Sequence, residues 1–209
     1  MLTQTFKPLA ELDWLVSLVF AGFVLMVLLG SIKRIAKVAE AIVPLKGILY
    51  LVCALIIVAA NIDNLGATLS LIFSEAISAK AATGGFIGML AMAFKRASFA
   101  NEAGLGSAPI AHAAARASEP VSEGVVALLE PFFAALVGLL TGLIVTITNA
   151  YVGGTVEDGV MIASRAFETV APWFSILLAV NVLIFAYSTT IGWSYYGEIA
   201  WSYLFGRRG

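Results

Sequence analysis

Charge is scarce in this chain. Only 12% of its 209 residues are charged, while 61% are hydrophobic; soluble domains carry about a quarter charged and half apolar residues. A chain of this length can bury a water-soluble core with less, so the excess apolar surface must face lipid. The formal net charge of −1 suggests neither a nucleic acid nor a strongly charged protein partner. Cysteine occurs once, at Cys53 in an apolar run, which excludes an intrachain disulfide and reads as a small buried or lipid-facing hydrophobe. Histidine also occurs once. No Cys, Asp or Glu lies within a helical turn of His112, so a structural role is expected of it rather than metal binding or catalysis. P-loop, HExxH, GxSxG and paired-cysteine patterns are all missing. The chain is therefore not expected to be an enzyme, and no cofactor or metal centre is expected. The first eight residues lack the layout of a signal peptide.

What is present is apolar helix. Crossing the hydrocarbon core takes roughly 20 residues. Spans are expected at about 12–30, 42–62, 124–148 and 172–193, with a discontinuous crossing at about 86–116. Trp14 suits an interfacial anchor, Pro44 the first turn of its span, and Lys46 can snorkel toward the basic side. Surface helices are expected at about 31–40, where Lys33, Arg34 and Lys37 oppose Ile32, Ile35, Ala36 and Ala39, and at about 65–79. If the first of these is cytoplasmic, alternation places Arg116 and Arg207-Arg208 on the same side, as the positive-inside rule favours. Lys95 and Arg96 fit this scheme poorly, because they fall near the middle of the discontinuous crossing. A competing topology makes 69–94 a complete span followed by a re-entrant loop.

The stretch Lys95 to Pro109 is polar, carries Gly104, Gly106 and Pro109 as a backbone break, and lies between two short apolar segments. Broken backbone at membrane depth is tolerated only where it lines a cavity or is buried in protein. Asn101 and Glu102 offer an amide and a carboxylate there, and an unwound segment exposes carbonyls to cations and amides to anions. A helix cap at the surface is the other reading of Asn101 and Glu102. Thr189 and Trp193, four apart, share a helix face. Trp193 could wall a pocket or anchor at the interface. Gly138 and Gly142 form a small-xxx-small pair that would admit another helix. That leaves a non-transporting membrane module, assembling with other helices, as the alternative to a solute carrier.

The run Phe99-Ala100-Asn101-Glu102-Ala103-Gly104-Leu105-Gly106-Ser107-Ala108-Pro109 resembles the "FSNEAGLGSAP" signature of the alanine or glycine:cation symporter family. Gly30 to Ala36 and Ser188 to Glu198 add to the likeness, which extends in order along essentially the whole chain. The resemblance implies an all-α integral membrane protein, the C-terminal part of a leucine-transporter-like inverted-repeat fold with one discontinuous helix. It implies import of a small neutral amino acid, alanine or glycine, with sodium as the co-transported ion, across the plasma membrane of a bacterium or archaeon. Carried over by position, Phe99, Asn101, Glu102, Ala103 and Gly104 would bind substrate, with Thr189 and Trp193 facing it from another helix. Ala100 departs from the signature's serine and removes a hydroxyl. Family members are about twice as long, so the chain is expected to be a C-terminal half, inactive without its N-terminal half. Its expected partners are then the amino acid, sodium, the lipid bilayer and that missing half.

Overall fold

The computed structural model describes residues 13–76, 85–152 and 159–206. Lys7, Lys80, the turns at Thr83-Gly84, Gly153-Gly154 and Glu157-Asp158, and Arg207-Arg208 lie outside the described residues. Helices account for most of the rest, and there is no strand among the described residues. They divide into two compact units, residues 1–60 with 148–209 and residues 61–147.

In the first unit, α1 (Asp13–Leu28) is apolar but short, about 24 Å long at 1.5 Å per residue. The Arg34 guanidinium closes its C-terminal end by donating from Nη1 to the Met26 carbonyl at 2.9 Å. Gly30 makes room for that arm, since a Cβ there would stand 2.2 Å from Arg34 Cδ. The basic 31–40 stretch and the apolar stretch after it form one helix, α2 (Ser31–Ala60), so Pro44 lies inside a helix and not in its first turn. Pro44 has no N–H to offer the Glu40 carbonyl, yet the helix continues, as transmembrane helices with neighbours commonly allow.

α2 packs on α1, on α9 (Gly159–Glu168) and on α10 (Phe174–Phe205). Val27, Ile35 and Ile191 form one buried cluster among these helices. Farther along α2, Tyr50 meets Phe167, which in turn meets Phe174, with ring centroids 6.2 and 5.7 Å apart. In lipid the gain from such contacts is close packing and dispersion, because the surrounding chains are as apolar as the core.

The second unit begins with a 3₁₀ turn at Ile62–Asn64 and α3 (Leu65–Ala76). Next come α4 (Phe86–Ala100), α5 (Glu102–Leu105) and α6 (Ala108–His112). It ends with α7 (Pro120–Ala127) and α8 (Leu129–Ile147). α7 and α8 are almost one helix, interrupted at Leu128. Pro131 supplies the reason: it has no N–H for the Ala127 carbonyl, and the next bond, Phe132 N–H to the Leu128 carbonyl, is stretched to 3.4 Å. α3 packs on α8.

Residues 34–60, 120–147 and 174–205 are long and apolar enough to cross a membrane. Their outward residues are themselves apolar: Leu45, Ile48, Phe132, Leu139 and Leu204 are all exposed. A water-soluble protein does not leave apolar surface of this extent uncovered.

Candidate functional site

The helix that starts at Phe86 stops at Asn101, where the backbone turns extended (φ −147°, ψ 166°). One helical turn, α5, follows, and its Gly106 N–H donates to the Glu102 carbonyl at 2.9 Å. The chain then breaks again at Gly106, whose φ of 77° lies in the left-handed region that favours glycine. α6 begins after Ser107 and has Pro109 in its first turn, where a missing N–H costs nothing. Of the three residues expected at the break, Gly106 carries the left-handed turn, Pro109 opens the next helix and Gly104 sits inside α5. Asn101 is the additional breaking point, since its amide side chain tolerates leaving the helix as other polar side chains do.

Two carboxylates hold this segment, and both come from the α7–α8 region. Glu130 Oε1 accepts the Glu102 backbone N–H at 2.7 Å. That amide is one that the break leaves without an intrahelical carbonyl. Glu123 Oε1 lies 2.6 Å from His112 Nδ1, with both side chains half-buried. The lone histidine is thus satisfied structurally, by a residue eleven positions away rather than by one on its own helix. Between these points, Ser107 is only 9% exposed, and its Oγ has no hydrogen-bond partner among the described residues. It occupies the N-cap position of α6 without capping it.

Phe99 is 68% exposed, Ala103 is exposed, and Asn101 and Glu102 are half-buried. Lys95 and Arg96 are exposed on α4. Residues 99–107 are therefore brought together by the second unit. Thr189 and Trp193 belong to the first unit, where both are exposed on α10 and the Trp193 ring packs edge-on against Tyr196 at 5.6 Å. The first unit also holds an apolar cleft of about 300 Å³ lined by Phe20, Phe23, Leu45, Leu183 and Tyr187, among others. A zwitterionic amino acid would find no charged partner in that lining.

Lys46 extends from α2 to α10 in the direction of the basic end of α2, since its carbonyl lies level with Asn181 while its Nζ reaches Ser188, near the Ile35–Ile191 contact. Its Nζ donates to Ser188 Oγ on α10 at 2.6 Å and stands 4.3 Å from the Phe185 ring centroid. Ser188 passes its own proton to the Phe185 carbonyl at 3.0 Å, and Asn181 Nδ2 donates to the Lys46 carbonyl at 3.0 Å. A hydroxyl, an aromatic face and an amide thus form a polar seam between α2 and α10 inside the apolar packing. Among the described residues, no group of three or more His, Cys, Asp or Glu is placed to hold a metal ion.

Sequence reasoning alone did not pick out Glu130, Ser107 or the Lys46–Ser188 pair. The first left a usable sign, a carboxylate inside an otherwise apolar run. The other two are ordinary in sequence and become notable only through their surroundings.

Comparison with known proteins decides the family. The family model described as "Sodium:alanine symporter family" matches residues 2–209. The chain belongs to the sodium:alanine symporter family. Within this symporter family it is 38% identical over 195 residues to the sodium/alanine symporter AgcS of Methanococcus maripaludis, which covers 91% of this chain and 43% of that protein. The sodium/proton-dependent alanine carrier protein of Bacillus sp. strain PS3 is 35% identical over 191 residues, 84% of this chain and 43% of its own length. The probable sodium/glutamine symporter GlnT of Bacillus subtilis is 34% identical over 174 residues, 82% of this chain and 36% of its own. The chain thus spans less than half the length of these curated relatives. No solved structure matches it. The family is one of sodium-coupled symporters, which are membrane transporters and not enzymes.

Proposed function

We propose that this chain is the C-terminal part of a secondary transporter that imports a small neutral amino acid, alanine or glycine, with sodium across a bacterial or archaeal plasma membrane. The scaffold we assign is the leucine-transporter-like one, in which inverted repeats rock against each other around a midplane site. The N-terminal repeat corresponds to the part of the relatives outside this chain, and the chain works together with it. Phe99, Asn101, Glu102, Ala103 and Gly104 contact the amino acid in this reading.

The observation that carries the proposal is the double interruption at Asn101 and Gly106, followed directly by the buried Ser107 hydroxyl, which has no partner among the described residues. Leaving a buried polar group unsatisfied costs roughly 1–3 kcal/mol, so such a group points to a ligand that completes it. Coupling then follows from linkage, since sodium and amino acid each favour the same closed state and so raise each other's affinity.

Substrate choice follows the same logic. GlnT is named as a glutamine symporter, and AgcS and the PS3 carrier are named for alanine. Alanine is the substrate we favour, because AgcS, at 38% identity, is more similar to this chain than GlnT, at 34%. The test is uptake of labelled alanine, glycine and glutamine into vesicles containing the chain joined to an N-terminal region like that of its relatives. A sodium gradient should drive alanine or glycine uptake, and abolishing the gradient should abolish it.

One observation favours a second reading. A Cβ built at Gly138 or Gly142 meets nothing within 4 Å, so the small-residue face of α8 is open. If the chain forms a stable oligomer through that face and no uptake can be measured, a non-transporting assembly module becomes the better account.

A further inference from the structure

Glu123 and Glu130 are seven residues apart. Leu128 interrupts the helix between them, yet both carboxylates reach the same 102–112 segment, so the two lie on one side of the α7–α8 region. Each holds a different end of the broken segment. Glu130 takes the Glu102 N–H at the start of α5 (2.7 Å), and Glu123 takes His112 at the end of α6 (2.6 Å). The intervening residues contain Gly106 at φ 77° and the unpartnered Ser107 hydroxyl. A segment held at one point can pivot about it. One held at two points has its orientation set by what holds it.

We infer that Glu130 and Glu123 are positioning residues that mount the 102–112 segment on α7–α8, so that this helix sets the orientation of the candidate substrate-binding break. The inference rests on the reading of that break as a binding segment. It goes further by naming what holds the segment and which helix must move when it moves. Neither carboxylate touches substrate in this scheme. Glu130 supplies an acceptor for an amide that the break exposes, and Glu123 does the same for the imidazole. Displacement of α7–α8 would therefore carry both ends of the segment together, and with them Asn101, Gly106 and Ser107.

Cysteine labelling of the full chain in native membranes tests the mount without requiring transport. In a Cys53→Ala background, single cysteines are placed at Ala103, beside the Glu130 mount, and at Ala113, beside the Glu123 mount. Labelling rates with a small neutral maleimide are then measured. Glu130→Met, which keeps the bulk but has no oxygen acceptor, should speed labelling at position 103 about tenfold and leave 113 within about twofold. That factor corresponds to loss of ~1.4 kcal/mol of hydrogen bonding. Glu123→Met should do the reverse. Glu130→Gln and Glu123→Gln, which retain an acceptor oxygen, should restore rates to within about twofold of the parent. If the Met variants fail to accumulate, Glu130→Asp and Glu123→Asp, shorter by one methylene, are read instead with the same expected pattern.

Unchanged rates in all variants, equal acceleration at both positions, or Gln behaving like Met would each overturn the mount. Equal acceleration would show general loosening. Sodium-driven uptake is measured separately. If uptake is absent while the position-specific labelling holds, the substrate reading fails and the mount stands. If labelling is unchanged in a chain that supports uptake, the reverse follows.

Discussion

Ser107 shows how a single side chain can separate stability from function. Its hydroxyl is buried, unpartnered and not used as a cap. Ser107→Ala therefore removes an unsatisfied group and costs no hydrogen bond within the chain. Thermal unfolding in detergent should show a midpoint equal to or above that of the parent, while amino-acid affinity of the complete transporter falls about tenfold through loss of one ligand hydrogen bond. A lowered midpoint with unchanged affinity would mark the hydroxyl as structural. Gly106 should behave in the opposite way. Its φ of 77° makes Gly106→Ala cost about 1–2 kcal/mol in backbone strain, which should appear as a lower unfolding midpoint. Gly106 and Pro109 were legible in sequence as a break, because backbone permissiveness is a property of the residue itself, whereas Gly104 lies inside α5 and the break at Asn101 was not expected. The orphaned hydroxyl was not, because burial depends on what packs over it.

At the scale of the element, the α2–α10 seam is the clearest case. Ser188→Ala leaves the Lys46 ammonium without its hydroxyl acceptor in an apolar setting and should destabilise the chain by about 1–3 kcal/mol. Lys46→Met alone should be close to neutral, since a well-packed apolar residue replaces a charge held by one hydroxyl and a ring. The double variant should recover most of the loss from Ser188→Ala, and a double-mutant cycle of unfolding midpoints measures the coupling. Additive effects would show that the two side chains are adjacent without interacting. The α7–α8 helix carries the same lesson. Pro131 announced a bend in sequence, whereas the use of Glu123 and Glu130 as partners for another segment required that segment's position.

For the molecule as a whole, the question is sidedness. In the first unit, Ile35 near the start of α2 clusters with Ile191, while Lys46, farther along α2, meets Ser188 and Asn181 on α10. The two helices therefore run antiparallel, and the C-terminal end of α10 lies level with the basic start of α2. Cysteines replacing Arg34 and Tyr203, both exposed, should be labelled by a membrane-impermeant maleimide from the same side of sealed vesicles. By the positive-inside rule that side is the cytoplasmic one. Labelling from opposite sides would refute the antiparallel arrangement.

Taken alone, the sequence determined the environment and the family. A chain 61% hydrophobic and 12% charged has to put apolar surface into lipid, and the Phe99–Pro109 signature is contiguous, so both survive without knowledge of the fold. The interruption at Gly106 and Pro109 was likewise legible, since glycine and proline act on their own backbone. Tertiary structure decided the rest. It joined residues 31–60 into one helix, turned Lys46 toward Ser188, gave His112 its partner at Glu123, and fastened the break to Glu130. Each of these depends on residues brought from 11 to 142 positions away, apart from the continuity of α2. At such separations a hydrogen bond is set by how helices pack, and local residue preferences carry no record of that. The Lys95–Pro109 stretch is therefore a segment whose tendency to break at Gly106 is written in its own residues, and whose orientation is set by the helix that follows it.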